Sequence, residues 1–412
     1  MSWKSIHRWL GLVLGTLALV LGLTGTLLAV NPLQQAWQAP TGSNGLSVAG
    51  LVQRVERTIP GIEEMRHLPS GVVVVYSFDN DQARAVRVNP TDGTVLGPYQ
   101  PSALPRWVKN LHRTLLLGDA GRWGAAATAL AMLLLSASGL VLLLRRMGGW
   151  RHMTGRVRGS LAQRVHVVTG RIVLAVLLLS SVTALYMSST TLGMIALDAE
   201  PEPEVASIVS GQPDIPGAQI ALLQQVTLGE LRALNFPDAS DPEDAWKLAT
   251  HQGEIWLDRY TGQALATQPA SVARRLYDWA LLLHAGEGAW WIWTVLLALT
   301  GASIPLFWIS GLLIWWRARL DRPRITHNSP LTQADMLIFV ASESGSTWGF
   351  AQALHDALVR AGHRVHSAPL EQFATGPQAQ QIFVLAATYG EGQAPAHASG
   401  ALGRIAALPA GA

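Results

Sequence analysis

The chain contains no cysteine. That excludes structural disulfides, iron–sulfur clusters with Cys ligands and covalent attachment of a prosthetic group through C-x-x-C-H, so any redox centre must use other ligands. Charge is scarce as well. Asp, Glu, Lys and Arg make up 14% of the 412 residues against 49% apolar, and the mean hydropathy is +0.25. A soluble domain of this length is less apolar, so the sequence reads as that of a membrane protein. No G-x-x-x-x-G-K-[ST] loop, catalytic triad or carboxylate pair with hydrolytic spacing is present.

What is present begins with four apolar stretches long enough to cross a hydrocarbon core of about 30 Å. They run roughly from Leu10 to Val30, Gly124 to Leu144, Ile172 to Tyr186 and Ala289 to Trp316. The first exceeds the apolar run of a secretory signal and no small-x-small cleavage site follows closely, so it is expected to remain as an anchor. Lys4 and Arg8 precede the first stretch, seven Arg and no acid fall between Arg145 and Arg171, and "RARLDRPR" follows the fourth. Basic residues favour the cytoplasmic side, which predicts both termini inside and two long segments outside, the second rich in acid ("DAEPEPE", "DPED"). Trp290, Trp291 and Trp293 at one end of the last stretch, with Trp315 and Trp316 at the other, read as interfacial belts.

The two halves repeat. "LHRTLLLGDAGRWGAAATALAMLLLSASGLVLLLRR" aligns with "LHAGEGAWWIWTVLLALTGASIPLFWISGLLIWWRAR" so that His112 matches His284, Ser138-Gly139 matches Ser310-Gly311 and Arg145 matches Arg317, all at an offset of 172. "HRWLG" from His7 and "HVVTG" from His166 both read H-x-x-x-G before an apolar run. Outside, "VRVNPTDGTVLG" pairs with "IWLDRYTGQALA", each a strand, a turn at Gly93 or Gly262, and a second strand. The chain is therefore a duplicated unit of helix, external α+β module, helix.

His7 and His166 open the first and third helices at the cytoplasmic face; His112 and His284 precede the second and fourth at the external face. A single His at a helix end more often serves as an interfacial anchor or cap. Four His in matched positions favour ligation, because imidazole is the usual nitrogen ligand of haem iron and facing helices can hold a noncovalent haem through two of them. His152 in the basic loop has no partner in the other half, and His67 and His251 read as surface residues of the modules. Arg113, Arg122, Arg274 and Arg275 lie near the outer histidines, and Arg8, Arg164 and Arg171 near the inner ones. Two roles stay open for them: pairing with haem propionates, or setting topology against lipid phosphates.

With the "HRWLG" opening, the two "LH…G" preambles and Ser-Gly followed by arginines, residues 1 to 320 resemble the PepSY-associated transmembrane proteins of bacterial inner membranes. The family includes ferric-siderophore reductases. The resemblance implies two b-type haems, ligated by His7, His166, His112 and His284, that carry electrons outward to an acceptor such as a ferric chelate.

After the polar linker the pattern becomes α/β. "DMLIFV" is a strand, "ASESGSTWG" a polar loop, "FAQALHDALVRAG" a helix, and "HRVHSAPL" and "QIFVLAATYGEG" further strands. A Ser/Thr/Gly loop between a strand and a helix N-terminus is an anion site. Together with "ATYGEG" it resembles the flavodoxin-like FMN domain of diflavin reductases of the sulfite reductase flavoprotein type. That resemblance assigns the FMN phosphate to Ser342, Ser344, Gly345, Ser346 and Thr347, and the isoalloxazine to Thr388, Tyr389, Gly390 and Gly392. Such a sheet has five parallel strands and about three are present, so the site is expected to be incomplete, with FAD and NADPH sites in a missing region or a partner.

The expected fold is a membrane α-helical bundle of four transmembrane helices, with two α+β periplasmic modules of the PepSY-like kind and a partial α/β flavodoxin-like domain. The expected boundaries are helix 1 over 1–30, module 1 over 31–111, helix 2 with its preamble over 112–146, a basic loop over 147–165, helix 3 over 166–189, module 2 over 190–283, helix 4 over 284–318, a linker over 319–334 and the truncated domain over 335–412. The expected activity is that of an NADPH-dependent flavohaem membrane reductase, NADPH-haemoprotein or ferric-chelate in type. Its partners would be lipid, an NADPH-linked flavin reductase and a periplasmic electron acceptor, with no nucleic acid. Two alternatives are a non-enzymatic PepSY anchor that binds or regulates, and a transporter; the scarcity of charge within the spans weighs against the latter.

Overall fold

A computed structural model describes residues 3–38, 43, 45–79, 82–100, 103–197, 201–209, 211–320, 324–342, 345, 347–387 and 398–406. Its helices are α1 (Trp3–Gln38), α2 (Val48–Glu56), α3 (Ala103–Thr114), α4 (Gly118–Met147), α5 (Leu161–Thr191), α6 (Ala221–Gln225), α7 (Val272–Ala285), α8 (Trp291–Leu320), α9 (Thr347–Arg360) and α10 (Ser399–Ala406). The strands are β1 (Ile62–His67), β2 (Val73–Asp79), β3 (Gln82–Val88), β4 (Val95–Pro98), β5 (Leu231–Asn235), β6 (Trp246–Thr250), β7 (Gly253–Leu257), β8 (Ala264–Pro269), β9 (Met336–Ala341), β10 (Val365–Pro369) and β11 (Gln381–Ala386).

Four helices, α1, α4, α5 and α8, are long and apolar enough to cross a membrane. A helix satisfies every backbone N–H and C=O within itself, which hydrocarbon demands. Helices α1, α4 and α5 run beyond the apolar stretches read from the sequence at both ends, and α8 does so at its C-terminal end, because helical hydrogen bonding does not stop where hydropathy falls. The His112 segment is a separate amphipathic helix, α3, and the His284 segment its counterpart α7, rather than simple preambles to the spans.

The chain divides into two compact units, one of Met1–Gly15, Leu134–Leu174 and Leu306–Ala412, the other of Thr16–Leu133 and Ala175–Pro305. In the second unit α1 and α8 pack closely at Gly22 and Gly301. A Cβ at Gly301 would sit 2.5 Å from Thr26 Oγ1 and 2.9 Å from the Gly22 carbonyl, and one at Gly22 2.7 Å from Ile304 Cβ. Small residues allow such backbone approach where lipid supplies no hydrophobic drive.

The same unit carries one antiparallel sheet of eight strands, in the order β4-β3-β2-β1-β5-β6-β7-β8. Each repeat copy supplies a four-stranded meander, and the seam is the β1–β5 ladder, where Met65 opposes Leu234. The expected turns are found: Gly93 and Gly262 take φ of +77° and +69°, left-handed values that a side chain would strain. One sheet face packs on α2 and α6 over a single core that includes Leu51, Val52, Val75, Leu223 and Leu248. Ser47 caps α2, accepting the Gly50 N–H at 3.2 Å.

The tail forms a parallel sheet, β10-β9-β11. β9 is buried on both faces, with α9 side chains such as Ala351 and Leu358 on one and Ala401 and Ile405 of α10 on the other. Its near-continuous apolar run follows from that double covering.

Candidate functional site

The four matched histidines meet as two couples. His7, near the start of α1, and His166, near the start of α5, have ring centres 6.1 Å apart with planes at 80°. His112 on α3 and His284 on α7 have centres 6.3 Å apart with planes at 49°. Each couple takes one ring from either copy of the repeat.

Local structure fixes the second couple. Ser271 caps α7 by accepting the Arg274 N–H at 2.9 Å, and Gly286, at φ +74°, ends the helix just past His284. Trp293 Nε1 and the Thr294 hydroxyl of α8 donate to the carbonyls of Leu283 and Gly286. In the first copy α3 ends instead at Leu115 and Leu116, with φ of +48° and +61°. Left-handed backbone costs about 1–2 kcal/mol per non-glycine residue, so His112 stands beside a strained stop.

Among the described residues each of the four rings bonds through Nδ1. His7 reaches the Leu135 carbonyl at 3.1 Å and Ser138 Oγ at 3.0 Å. His166 reaches Ser310 Oγ at 2.9 Å, and His112 reaches Thr24 Oγ1 at 2.9 Å. His284 reaches the Ser180 carbonyl at 3.0 Å and Thr183 Oγ1 at 3.3 Å. A carbonyl can only accept. Each hydroxyl spends its one proton on its own helix, Ser138 on Leu135, Thr24 on Val20, Thr183 on Leu179 and Ser310 on Leu306. The hydroxyl oxygens are therefore acceptors too, and Nδ1 is the donor in every ring. Nε2 keeps its lone pair.

That arrangement is the one that orients a metal-ligating imidazole. A metal–nitrogen bond of about 2.0 Å, plus about 1.15 Å from nitrogen to ring centre on each side, asks for centres about 6.3 Å apart. Both couples meet that spacing. Two imidazoles are the protein ligand set of a bis-His haem, whose macrocycle would supply the other four nitrogens. The residues present fit haem. Burial and then the neighbouring His284 pull the His112 imidazole, which lies outside the four spans, down to about 4, so it is neutral and able to ligate near neutral pH.

The other candidates separate by environment. His152 is exposed, on a short turn of helix after α4, with Nδ1 donating to the Gly148 carbonyl at 3.3 Å. His251 is exposed, as expected. His67 is a correction to its reading as a surface residue: it is half-buried, because β1 directs it toward the same side as buried Met65, and its Nε2 has no hydrogen-bond partner among the described residues. Arg8, Arg113, Arg164 and Arg275 are exposed, and Arg274 is half-buried. Arg122 pairs with Asp119 at 2.8 Å. Arg171 donates to the Gly155 carbonyl and Met147 sulfur at 2.8 and 2.9 Å, tying down the basic loop.

In the tail, Ser342 accepts the Thr347 N–H at 3.3 Å across the loop after β9, and Gly345 takes φ of +81°. Ser344, Ser346, Thr388, Tyr389, Gly390 and Gly392 lie outside the described residues.

Four spans and two facing imidazole couples define a multi-pass membrane protein. Residues 4–318 match the model of the PepSY-associated TM region family, and the chain belongs to that family. No curated protein matches the chain.

Proposed function

We propose that the protein carries electrons across a bacterial inner membrane, from a cytoplasmic NADPH-linked flavin system to a periplasmic acceptor, with one b-type haem held by His7 and His166 and another by His112 and His284. The carrying observation is the shared geometry of the four rings: every Nδ1 is committed to a carbonyl or hydroxyl, which leaves Nε2 for iron at the spacing that two such bonds require. Membership of a family associated with membrane haem agrees with it. Bound haem would supply a one-electron Fe(III)/Fe(II) couple; the chain's own work is to hold, orient and insulate it.

Direction rests on the basic residues. Seven Arg from Arg145 to Arg171 favour the cytoplasmic side for that loop and for the nearby His7–His166 couple. Entry from a flavin is supported by the tail, where the loop after β9 lies at the carboxyl end of a central parallel strand flanked by β10 and β11, the switch point at which open α/β sheets bind ligands. A ferric chelate would find polar groups on the open face of the eight-stranded sheet, where Glu64, Arg66, Asn235, Lys247 and Glu254 line a cleft across the seam.

An absorption spectrum of the purified chain, oxidised and then reduced with dithionite, tests this reading. A low-spin b-type spectrum is expected. A chain purified without a Soret band, even after expression with added haem, removes the proposal and leaves the modules as binding or regulatory domains on a membrane anchor.

A further inference from the structure

Each histidine faces a hydroxyl residue followed by a small one on a neighbouring span: His7 faces Ser138-Gly139, His166 faces Ser310-Gly311, His112 faces Thr24-Gly25 and His284 faces Thr183-Ala184. A hydroxyl that bonds only the carbonyl one turn back needs no imidazole and is common within apolar helices. Here all four hydroxyls do both. Where a glycine follows, it meets the same Nδ1–Cε1 edge of the ring. A Cβ at Gly25 would lie 3.3 Å from His112 Cε1, one at Gly139 3.3 Å from His7 Cε1, and one at Gly311 3.7 Å from His166 Cε1.

We propose that these four dipeptides are positioning residues for the haem ligands: the hydroxyl fixes the Nδ1–H tautomer and the electron donation of the ring, and the small residue admits the ring at the angle that aims Nε2 at iron. This inference rests on the haem reading above. Its physical basis is that a hydrogen-bonded Nδ1–H makes the imidazole more basic, which stabilises ferric over ferrous iron. Losing that acceptor drives the midpoint potential of the affected haem positive.

The four positions are not equivalent. The Leu135 and Ser180 carbonyls, at 3.1 and 3.0 Å, share the N–H of His7 and His284 and would remain after the hydroxyl is removed. For His112 and His166 the hydroxyl makes the short contact, at 2.9 Å in each, with the Leu21 and Phe307 carbonyls as further acceptors behind it. Thr24 and Ser310 therefore carry a larger share of the Nδ1–H bond than Ser138 and Thr183 do.

The test is a redox titration of the haem-loaded full chain, followed by absorption and by electron paramagnetic resonance of the ferric state. Thr24→Val, which keeps shape without the hydroxyl, and Ser310→Ala should each move one midpoint positive, leave the other in place, and weaken haem retention by about ten- to a hundredfold. Thr24→Ser and Ser310→Thr should restore wild-type potentials, and Ser138→Ala and Thr183→Val should shift less. Gly139→Ala should alter the ferric signal of the His7 haem, whereas Gly311→Ala, with its ordinary contact, should not. A wild type that binds no haem overturns both the reading and this inference. Haem-loaded Thr24→Val and Ser310→Ala proteins with unchanged potentials and resonance spectra overturn the inference alone; loss of haem in them that Ser or Thr at the same position does not reverse does so equally.

Discussion

Met65 and Leu234 face each other across the β1–β5 ladder, and both are fully buried. They join the two repeat copies into a single sheet over a single apolar core, so the two modules share their stability. Leu234→Ala is expected to cost about 2–5 kcal/mol through lost burial and the cavity left behind. Hydrogen exchange on the purified full chain should show β1 and β2 losing protection together with β5 and β6. Protection lost from β5 and β6 alone would contradict a shared core.

Pairing within the couples makes their variants redundant. His112→Ala and His284→Ala should each remove the same haem, halving the haem-to-protein ratio, and the double variant should be no worse than either single one. His7→Ala and His166→Ala should remove the other. Four independent spectral effects, or haem loss that pairs His7 with His112, would refute the proposed ligand sets.

At Gly301 a larger side chain has nowhere to go, since its Cβ would lie within 3.2 Å of Thr26 Oγ1, the Gly22 carbonyl and the Thr26 nitrogen. Gly301→Val should force α8 away from α1 and lower the thermal midpoint of the detergent-solubilised protein; overpacking of this kind typically costs about 1–3 kcal/mol. Gly349→Ala, where the added methyl meets nothing within 4 Å, serves as the control.

Acid should act on the second module through Asp258. Burial pushes its carboxyl up, but the N–H groups of Ile208, Thr261 and Tyr260 and the Thr261 hydroxyl outweigh that and hold it below 3.8. A carboxyl held low in the folded state stabilises the fold above its unfolded value of 3.8 and loses that contribution as pH falls through the lower folded one. Asp258→Asn should cost about 1–3 kcal/mol at neutral pH and flatten the acid limb of the thermal midpoint measured against pH. An unchanged acid limb would show that the carboxylate is not the group responsible.

The spans were legible because lipid imposes hydropathy directly, and the turns at Gly93 and Gly262 because left-handed backbone selects glycine. The histidine couples were legible only through the repeat, since nothing local distinguishes His112 from an interfacial anchor. Ser138 and Ser310 stood out in the alignment of α4 with α8, but their role as Nδ1 acceptors did not, because a serine in an apolar helix has a sufficient partner in its own backbone. Thr24 and Thr183 were missed although they repeat at the same spacing of 159 residues that separates His7 from His166. The β1–β5 seam left no trace, because strand pairing between copies is written in backbone groups that every sequence shares.

Cut at its internal boundary, the gene would yield two products, one with His7 and His112 and one with His166 and His284, and neither could complete a couple by itself. Two molecules of one product could do so only as a symmetric dimer, in which every mutation lands twice. Fusion in one chain frees the copies to diverge, as Gly25 and Ala184 already have. A change in one copy then touches a single ring of a couple, and evolution can adjust each centre in half-steps.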